Sequence, residues 1–252
     1  MTYLLTPMAR YPTRPPLNSS ADDGGVAAVD RALMLLAAFH DGDRSLSLQE
    51  LVTRTALVKS TVLRLLVSLQ HFALVQKLDD NRYALGSGVA RLHRVYTASF
   101  GLETVVPPVL RTLVETTRES ASFHVRQGDK RLVLFRVHSS QPLSDHSNAG
   151  DLFPLDRGTG GHVIMAFSGA QGNLFDKIRR DKVISLSGDR VAELAGVSAP
   201  VFDAANRLVG AITLTMPTMR YRQEHVATVR SAAAEVTRRL GGSFERAPAA
   251  PD

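Results

Sequence analysis

The chain has 252 residues, of which 44% are hydrophobic and 21% charged, so it can form one large or two small folded domains and is not a disordered protein. Its 30 Lys and Arg residues exceed its 24 Asp and Glu residues, and the resulting charge of +6 favours an anionic partner without requiring one. The absence of cysteine excludes disulfides, thiolate catalysis and cysteine metal sites. With neither a membrane-spanning apolar run nor a signal-peptide pattern, we expect a cytoplasmic protein without a membrane partner.

The first 45 residues contain a tail and one helix. Residues 1–25 hold four prolines and a Gly-Gly pair without any apolar periodicity, which predicts a flexible tail. A first helix is then predicted, ending near residue 40, from the apolar positions Val29, Leu33, Leu36 and Ala37.

Residues 46–82 have the pattern of two helices joined by a tight turn and followed by a β-hairpin. Ser47 and Glu50 form a Ser-x-x-Glu capping box, so a second helix begins there and runs to about residue 54. A third helix is predicted over residues 58–71. Its buried face consists of Val62, Leu65, Leu66 and Leu69. Strands at residues 74–77 and 82–85, with the turn 79–81 between them, complete the hairpin.

The outer face of the third helix suits a DNA major groove, because it carries Lys59, Ser60, Thr61 and Arg64. Ser and Thr can contact phosphates or base edges, and Arg can bond O6 and N7 of guanine. The local charge does not support this by itself, since residues 26–86 hold seven Lys and Arg against six Asp and Glu. The alternative is that Arg64 is only a solvated surface charge.

A linker helix is predicted over residues 88–99, and it could also form a contact between subunits. The next helix is expected to open near Leu102, with Pro107 and Pro108 in or just before its first turns, where proline is tolerated.

From residue 120 the apolar period changes to that of strands. Strands are predicted at residues 121–126, 131–138, 183–186, 195–202 and 208–216, and helices at 158–167, 173–180 and 223–240. Residues 141–155 are polar and are predicted to be irregular. This mixture with antiparallel hairpins predicts an α+β domain.

A glycine-rich run, Gly158-Thr159-Gly160-Gly161, opens one of these helices and could hold an anion with free backbone N–H groups. No Gly-Lys-Ser/Thr follows, so it is not a nucleotide P-loop. The alternative is that the glycines serve a tight turn and close packing. On a strand expected nearby, Thr213 and Thr215 could hydrogen-bond a carboxylate or carbonyl, or they could be ordinary strand residues.

The sequence contains no pattern for a metal site, a cofactor or a catalytic centre. Four histidines are scattered through the second half, at His124, His138, His146 and His162. Their spacing matches neither His-x3-His nor His-Glu-x2-His. Ser198 lies outside a Gly-x-Ser-x-Gly elbow, and no nucleophile is paired with a base, so we do not expect an enzyme.

Several of these segments together resemble the IclR-type transcriptional regulators. In chain order they are residues 28–33, 58–66, 82–86, 154–155, 158–161, 194–202 and 209–215. The resemblance extends from about residue 26 to residue 242. It is specific because the segments share their order and spacing with the family, whereas each alone is only moderately informative.

The resemblance implies an α+β protein in which an N-terminal winged helix-turn-helix domain is joined by a linker helix to a GAF-like effector domain. The implied division is a disordered tail at 1–25, the DNA-binding domain at 26–86, the linker at 87–100, the effector-binding and oligomerisation domain at 101–242 and a flexible tail at 243–252.

Two sets of site residues follow from this resemblance and from the patterns above. The DNA-binding candidates are Ser47, Lys59, Ser60, Thr61, Leu63, Arg64 and Arg82. The effector-binding candidates are Leu155, Gly158, Thr159, Gly160, Gly161, Leu194, Thr213 and Thr215. Leu63 departs from the polar residue, often His, of many relatives, so it either contacts a thymine methyl or packs inward. Asp156 replaces a frequent His and changes the charge at the pocket rim.

We therefore expect a transcriptional regulator that represses, rather than activates, a catabolic operon in response to a small organic acid or a related metabolite. A homodimer, or a dimer of dimers, would bind near-palindromic operator DNA with half-sites about one helical turn apart, or a multiple. The alternatives are an activator of the same family, a ligand-binding enzyme or sensor with a helical appendage, and a protein–protein adaptor.

Overall fold

A computed structural model describes residues 25–40, 42–98, 101–145 and 147–245. The chain separates into two compact units, Met1–Phe100 and Gly101–Asp252. Apart from residue 25 and residues 243–245, the two predicted tails lie outside the described residues, as does His146. None of the described helices is both long and apolar enough to cross a membrane.

The first unit confirms the predicted helix-turn-helix and hairpin. Its elements are α1 (Ala27–Ala37), α2 (Leu48–Thr55), α3 (Lys59–His71), β1 (Val75–Lys77), β2 (Tyr83–Leu85) and α4 (Ser87–Ala98). The turn between α2 and α3 begins at Ala56, which adopts the left-handed conformation with φ of 55° and ends α2. β1 and β2 pair antiparallel, with Gln76 opposite Ala84.

The small core of this unit lies between the three helices and the hairpin. Leu35, Leu51, Val62 and Leu66 are fully buried in it. The predicted first helix is confirmed, but only part of its apolar pattern faces the core: Val29 and Leu33 are exposed, Leu36 is half-buried, and Leu35 is the fully buried residue. α1 is apolar on more than one side, so packing against α3 rather than its own periodicity decides which side is buried.

The second unit consists of an antiparallel sheet covered by four helices. Its helices are α5 (Val106–Thr117), α6 (Thr159–Phe167), α7 (Asn173–Asp181) and α8 (Glu224–Arg239). Its strands are β3 (Ser120–Gln127), β4 (Lys130–Val137), β5 (Leu152–Pro154), β6 (Ile184–Ser187), β7 (Leu194–Phe202) and β8 (Leu208–Pro217). Within the sheet the strands follow the order β5-β4-β3-β8-β7-β6.

β5 was not predicted, because the segment 141–155 appeared polar and irregular. It has three residues, too few for an alternating pattern, and is a strand only because it pairs with the edge of β4, with Phe153 opposite Arg131. α5 begins at Val106, later than the opening predicted near Leu102, and holds Pro107 and Pro108 in its first turn as predicted.

β8 organises the second unit, because it is buried on both faces. Ile212 and Leu214 belong to the hydrophobic cluster, together with Val229 and Val236 of α8. Thr213 alternates with them and therefore points to the opposite face, where α6 begins. A Cβ built on Gly160 of α6 would lie only 2.8 Å from the Thr213 hydroxyl oxygen.

The end of the described chain also packs on this unit. Phe244, which was expected in a flexible tail, is 7% exposed, and its ring centroid lies 6.3 Å from that of Phe202. Arg230 lies over the same ring at 5.6 Å. The apolar ring is held because it completes the core beside α8, which residue composition alone does not reveal.

Candidate functional sites: a helix face and a buried cavity

α3 presents a polar face to solvent. Val62, Leu66 and Leu69 anchor it in the core, whereas Lys59, Ser60 and Arg64 are exposed and Thr61 is half-buried. No acidic residue occurs anywhere in α3, so nothing on the helix repels a phosphate.

The same face is also partly apolar. Leu63 is 40% exposed and lies outside the buried cluster, so inward packing does not account for it. Val67 lies one turn further along and is 51% exposed. An exposed leucine beside an exposed arginine is a surface that can contact both a methyl group and polar base edges.

Two predicted DNA contacts have partners within the protein. The Ser47 hydroxyl accepts from the Glu50 N–H at 3.2 Å, and the Glu50 carboxylate accepts from the Ser47 N–H at 2.7 Å, which confirms the predicted capping box. Arg82 donates to the Ser45 hydroxyl at 2.8 Å and to Glu50 at 3.0 Å. Ser47 therefore caps α2, Arg82 joins the hairpin to the start of α2, and their contact with DNA stays a prediction.

A second ion pair fixes the loop between α1 and α2. Arg54 pairs with Asp43 and also donates to the Ala38 carbonyl at 2.9 Å. The hydrogen bond from Arg54, assisted by the His40 N–H, lowers the pKa of Asp43 to about 2. These contacts hold the end of α1 against α2 and so support the helix-turn-helix.

In the second unit, a cavity of about 30 Å³ lies where α6, β7 and β8 meet the polar side chains of β3 and β4. Six of the eight predicted effector residues line it: Gly158, Thr159, Gly160, Leu194, Thr213 and Thr215. Leu155 and Gly161 are not in its lining. Leu155 belongs to the hydrophobic cluster, and a Cβ on Gly161 would lie 2.1 Å from the Leu155 carbonyl oxygen, so this glycine serves close packing.

The start of α6 already holds an anionic group. The Gly158 N–H donates to the Asp189 carboxylate at 2.5 Å, and Nε2 of His162 lies 3.0 Å from the same oxygen. Gly158 has φ of 75°, a conformation that favours glycine, and a Cβ there would lie 2.8 Å from an Arg131 nitrogen. The Gly158 N–H, which the sequence suggested as an anion-binding group, therefore already donates to Asp189.

Three hydroxyl groups connect α6 to the sheet. Ser198 donates to Thr159 at 2.7 Å, and its oxygen also lies 2.7 Å from the Thr213 hydroxyl. A Cβ on Gly196 would lie 2.7 Å from the Thr159 oxygen, so the absence of a side chain there lets the two elements approach. The two predicted threonines therefore form part of a buried polar network.

Sequence analysis missed the charged residues of the cavity. Its lining includes three arginines, two aspartates and one histidine: Arg131, Arg136, Arg190, Asp145, Asp189 and His124. The sequence carries a signal for one of them, because Arg131 lies two residues before buried Val133 on β4 and therefore points to the same inward face. A charged residue at such a position is rare and usually has a specific partner.

Asp145 pairs with two of the arginines. Its carboxylate lies 2.9 Å from Arg190 and 3.4 Å from Arg136. Burial alone would raise the pKa of Asp145, but the two guanidinium groups hold it below its ordinary value. Burial also lowers the pKa of Arg136, whose side chain is 2% exposed.

Arg131 has a different environment. It is 2% exposed and, among the described residues, forms no salt bridge. It contacts Nδ1 of His124 at 2.5 Å, donates to the Arg157 carbonyl at 3.0 Å and lies 5.0 Å from the centre of the Phe153 ring. Burial, with Arg190 nearby, lowers its pKa to about 9.

His124 is neutral beside this arginine. Burial, followed by the charge of Arg131, lowers its pKa well below the usual value. Because a guanidinium can only donate, Nδ1 accepts from Arg131, and the proton on Nε2 is directed at the Ser122 hydroxyl 2.8 Å away. Within the part of the chain that the structure describes, no group of three or more metal-ligating side chains is placed to bind a metal ion.

The chain is similar to known proteins in both sequence and fold. Residues 28–79 match the model of the IclR helix-turn-helix domain. Over 90% of each chain, the protein is 24% identical to the transcriptional regulator BhcR of Paracoccus denitrificans. It is 28% identical to the probable transcriptional regulator SauR of Cupriavidus necator, covering 81% of this chain and 84% of SauR. These relatives are transcriptional regulators and not enzymes.

Solved structures share the fold. An IclR homologue from Microbacterium hydrocarbonoxydans in complex with 4-hydroxybenzoate has a TM-score of 0.75 at 17% identity, covering 85% of this chain and 99% of its own. The Thermotoga maritima IclR has a TM-score of 0.71 at 17% identity, covering 84% and 98%. The chain therefore contains a segment that matches the IclR helix-turn-helix domain, is similar along most of its length to transcriptional regulators, and shares the fold of solved IclR structures.

Proposed function

We propose that this regulator is a repressor that binds a near-palindromic operator through α3 and releases it when a small organic acid enters the cavity of the second unit. The observation that carries the proposal is the exposed face of α3, where Lys59, Ser60 and Arg64 stand together on a helix without acidic residues. A catabolic operon close to its own gene is the expected target.

At the operator, α3 would enter the major groove with its N-terminal half. Lys59 and Ser60 would contact phosphates at the groove edge, and Arg64 would bond a guanine through O6 and N7. Leu63, exposed between them, would contact the methyl group of a thymine.

A second copy of the chain would supply the second half-site. The stripe of α1 formed by Val29 and Leu33 is exposed, as are Leu92 and Val95 on α4. Such apolar positions, three or four residues apart, form a continuous strip on a helix, which a partner helix can cover. We infer a homodimer through these two helices, alone or as half of a tetramer.

The cavity would bind the effector. Its volume of about 30 Å³ corresponds to roughly two water molecules, so an organic acid must displace side chains to enter. The segment with Asp189 and Arg190 is the part that would move, since both residues close the cavity by polar contacts. The bound 4-hydroxybenzoate of the Microbacterium homologue supports a carboxylate ligand in this fold. Coupling to DNA affinity would amount to about 1–3 kcal/mol.

The test is footprinting on the upstream region of the gene, followed by titration of the protected site at fixed salt. We expect Arg64→Ala to weaken operator binding by about 1–3 kcal/mol, the usual loss for an arginine–base contact. Arg111→Ala, at an exposed position of α5 in the other unit, is the matched control and should bind as the parent does. Equal affinity of the Arg64 variant and the parent would exclude a base contact by this residue.

A further inference from the structure

Arg131 is a buried cation with an unused hydrogen-bond donor. Its Nε atom is buried and has no hydrogen-bond partner among the described residues, although the side chain lines the cavity. Charged groups are rarely buried to this degree unless they are paired, because the loss of hydration must be offset by an opposite charge.

The carboxylates of the cavity are already engaged elsewhere. Asp145 is held by Arg190 and Arg136, and Asp189 lies against the Gly158 N–H and His162. The adjacent His124 is neutral, since burial lowers its pKa. Among the described residues of the lining, three guanidinium groups thus face two carboxylates, an excess of one positive charge.

A purely structural role explains only part of this arrangement. Arg131 donates to the Arg157 carbonyl and lies against the Phe153 ring, contacts that brace the end of β4. A neutral side chain of similar length would fill the same space without the cost of burying a charge. The unused N–H and the positive charge are what these structural contacts do not require.

We propose that Arg131 is the anchor for the carboxylate of the effector, and that the effector is a monocarboxylate with a single negative charge. One oxygen of the acid would accept the free Nε–H of Arg131, and one negative charge would cancel the excess charge of the lining. Arg136, whose Nε–H is also buried without a partner, offers a second donor to the same ligand. The inference rests on the proposed role of this cavity as the effector site.

The first experiment requires no effector. Arg131→Met removes the unpaired charge and keeps the length of the side chain, but His124 Nδ1 and the Arg157 carbonyl lose a donor. We therefore expect its Tm in ligand-free buffer to fall less than that of Arg136→Met, the matched control, which takes one partner from buried Asp145. A larger fall in Tm for Arg131→Met than for Arg136→Met would mean that the arginine is structural, and it would overturn the inference.

The second experiment compares acids with their amides. Sodium acetate, propionate, butyrate and benzoate are titrated into the full-length protein by calorimetry and thermal shift, beside the matching primary amides and a sodium chloride control. We expect at least one acid to bind while its amide does not. Arg131→Met should bind that acid roughly 30-fold more weakly or worse, the loss typical of an unmatched buried charge. Arg131→Lys, which keeps the charge, should retain part of the affinity.

Equal binding of an acid and its amide would overturn the inference, as would undiminished acid binding by Arg131→Met or no response to any acid. Operator titration separates this failure from failure of the proposed function. If the parent binds its operator but no acid binds in the cavity, the anchor is wrong and DNA binding stands. If an acid binds through Arg131 but has no effect on operator affinity, the anchor stands and the effector role fails.

Discussion

At the scale of single residues, neighbouring positions of one motif have different tasks. Gly158 needs its left-handed conformation, Gly160 leaves room for the side chains of His124 and Thr213, and Gly161 packs on the backbone of Leu155. The neighbours Leu63 and Arg64 on α3 also have different roles, because Leu63 presents an apolar side chain and Arg64 presents several N–H donors. The role of each residue therefore depends on the space and the hydrogen-bonding groups that surround it in the folded chain.

The role of Leu63 can be tested on the DNA instead of the protein. We expect that replacing one thymine of each half-site by uracil, which removes only the methyl group, weakens binding of the parent about threefold or more, within the range of a single base contact. Leu63→Ala should bind the thymine and uracil operators equally. If the parent does not distinguish the two at any thymine, Leu63 makes no methyl contact.

At the scale of the element, α2 and the hairpin depend on each other through a few polar groups. Glu50 closes the capping box with Ser47 and also accepts from Arg82 of the hairpin. Residue 82 is thereby connected to residue 50 across the domain, and the hairpin is held beside the helix that precedes α3. The capping box has both a local and a tertiary role.

Substitution of Ser47 separates capping from DNA contact. We expect Ser47→Ala to lower the free energy of unfolding by about 0.5–2 kcal/mol through loss of the cap. Ser47→Asp should keep the stability of the parent, because aspartate is an equally good N-cap. Both are measured by denaturant unfolding, with operator titration at a temperature where each is folded. If Ser47→Ala stays folded but binds DNA as poorly as Arg64→Ala, the hydroxyl contacts the operator directly.

At the scale of the whole molecule, two helices of the first unit carry exposed apolar positions. Val29 is 53% exposed and Leu33 55% on α1, and Leu92 is 51% and Val95 59% on α4. On each helix the two positions are three or four residues apart and so lie on one face, which a partner helix can cover. A symmetric dimer would cover both helices with the same surface of a second copy.

A charge placed in this surface should prevent assembly. We expect Val95→Glu to shift the protein from dimer to monomer in sedimentation velocity and to abolish tight binding to the full palindrome, because two α3 helices are no longer linked. Leu143→Glu, at a leucine of the second unit that is 58% exposed, is the control and should leave both properties unchanged. A dimer that survives charges at both Val95 and Val29 would place the interface elsewhere.

The sequence alone was sufficient for features whose determinants lie close together along the chain. The buried face of α3, the capping box at Ser47 and the proline-containing start of α5 are set by spacings of three or four residues, and the structure confirms each. The helix-turn-helix, and its resemblance to the IclR type, can therefore be recognised from the sequence.

Only the tertiary structure decided which groups meet across the sheet. Arg131, Asp145 and Asp189 come from different segments of the chain, and nothing local indicates that both acids have partners while Arg131 has no acidic partner. β5 and the buried side of α1 were missed for the same reason, since a neighbouring element determines each. Spacing along a chain determines the faces of a helix or strand, whereas pairing between distant charges depends on the packing that brings them together.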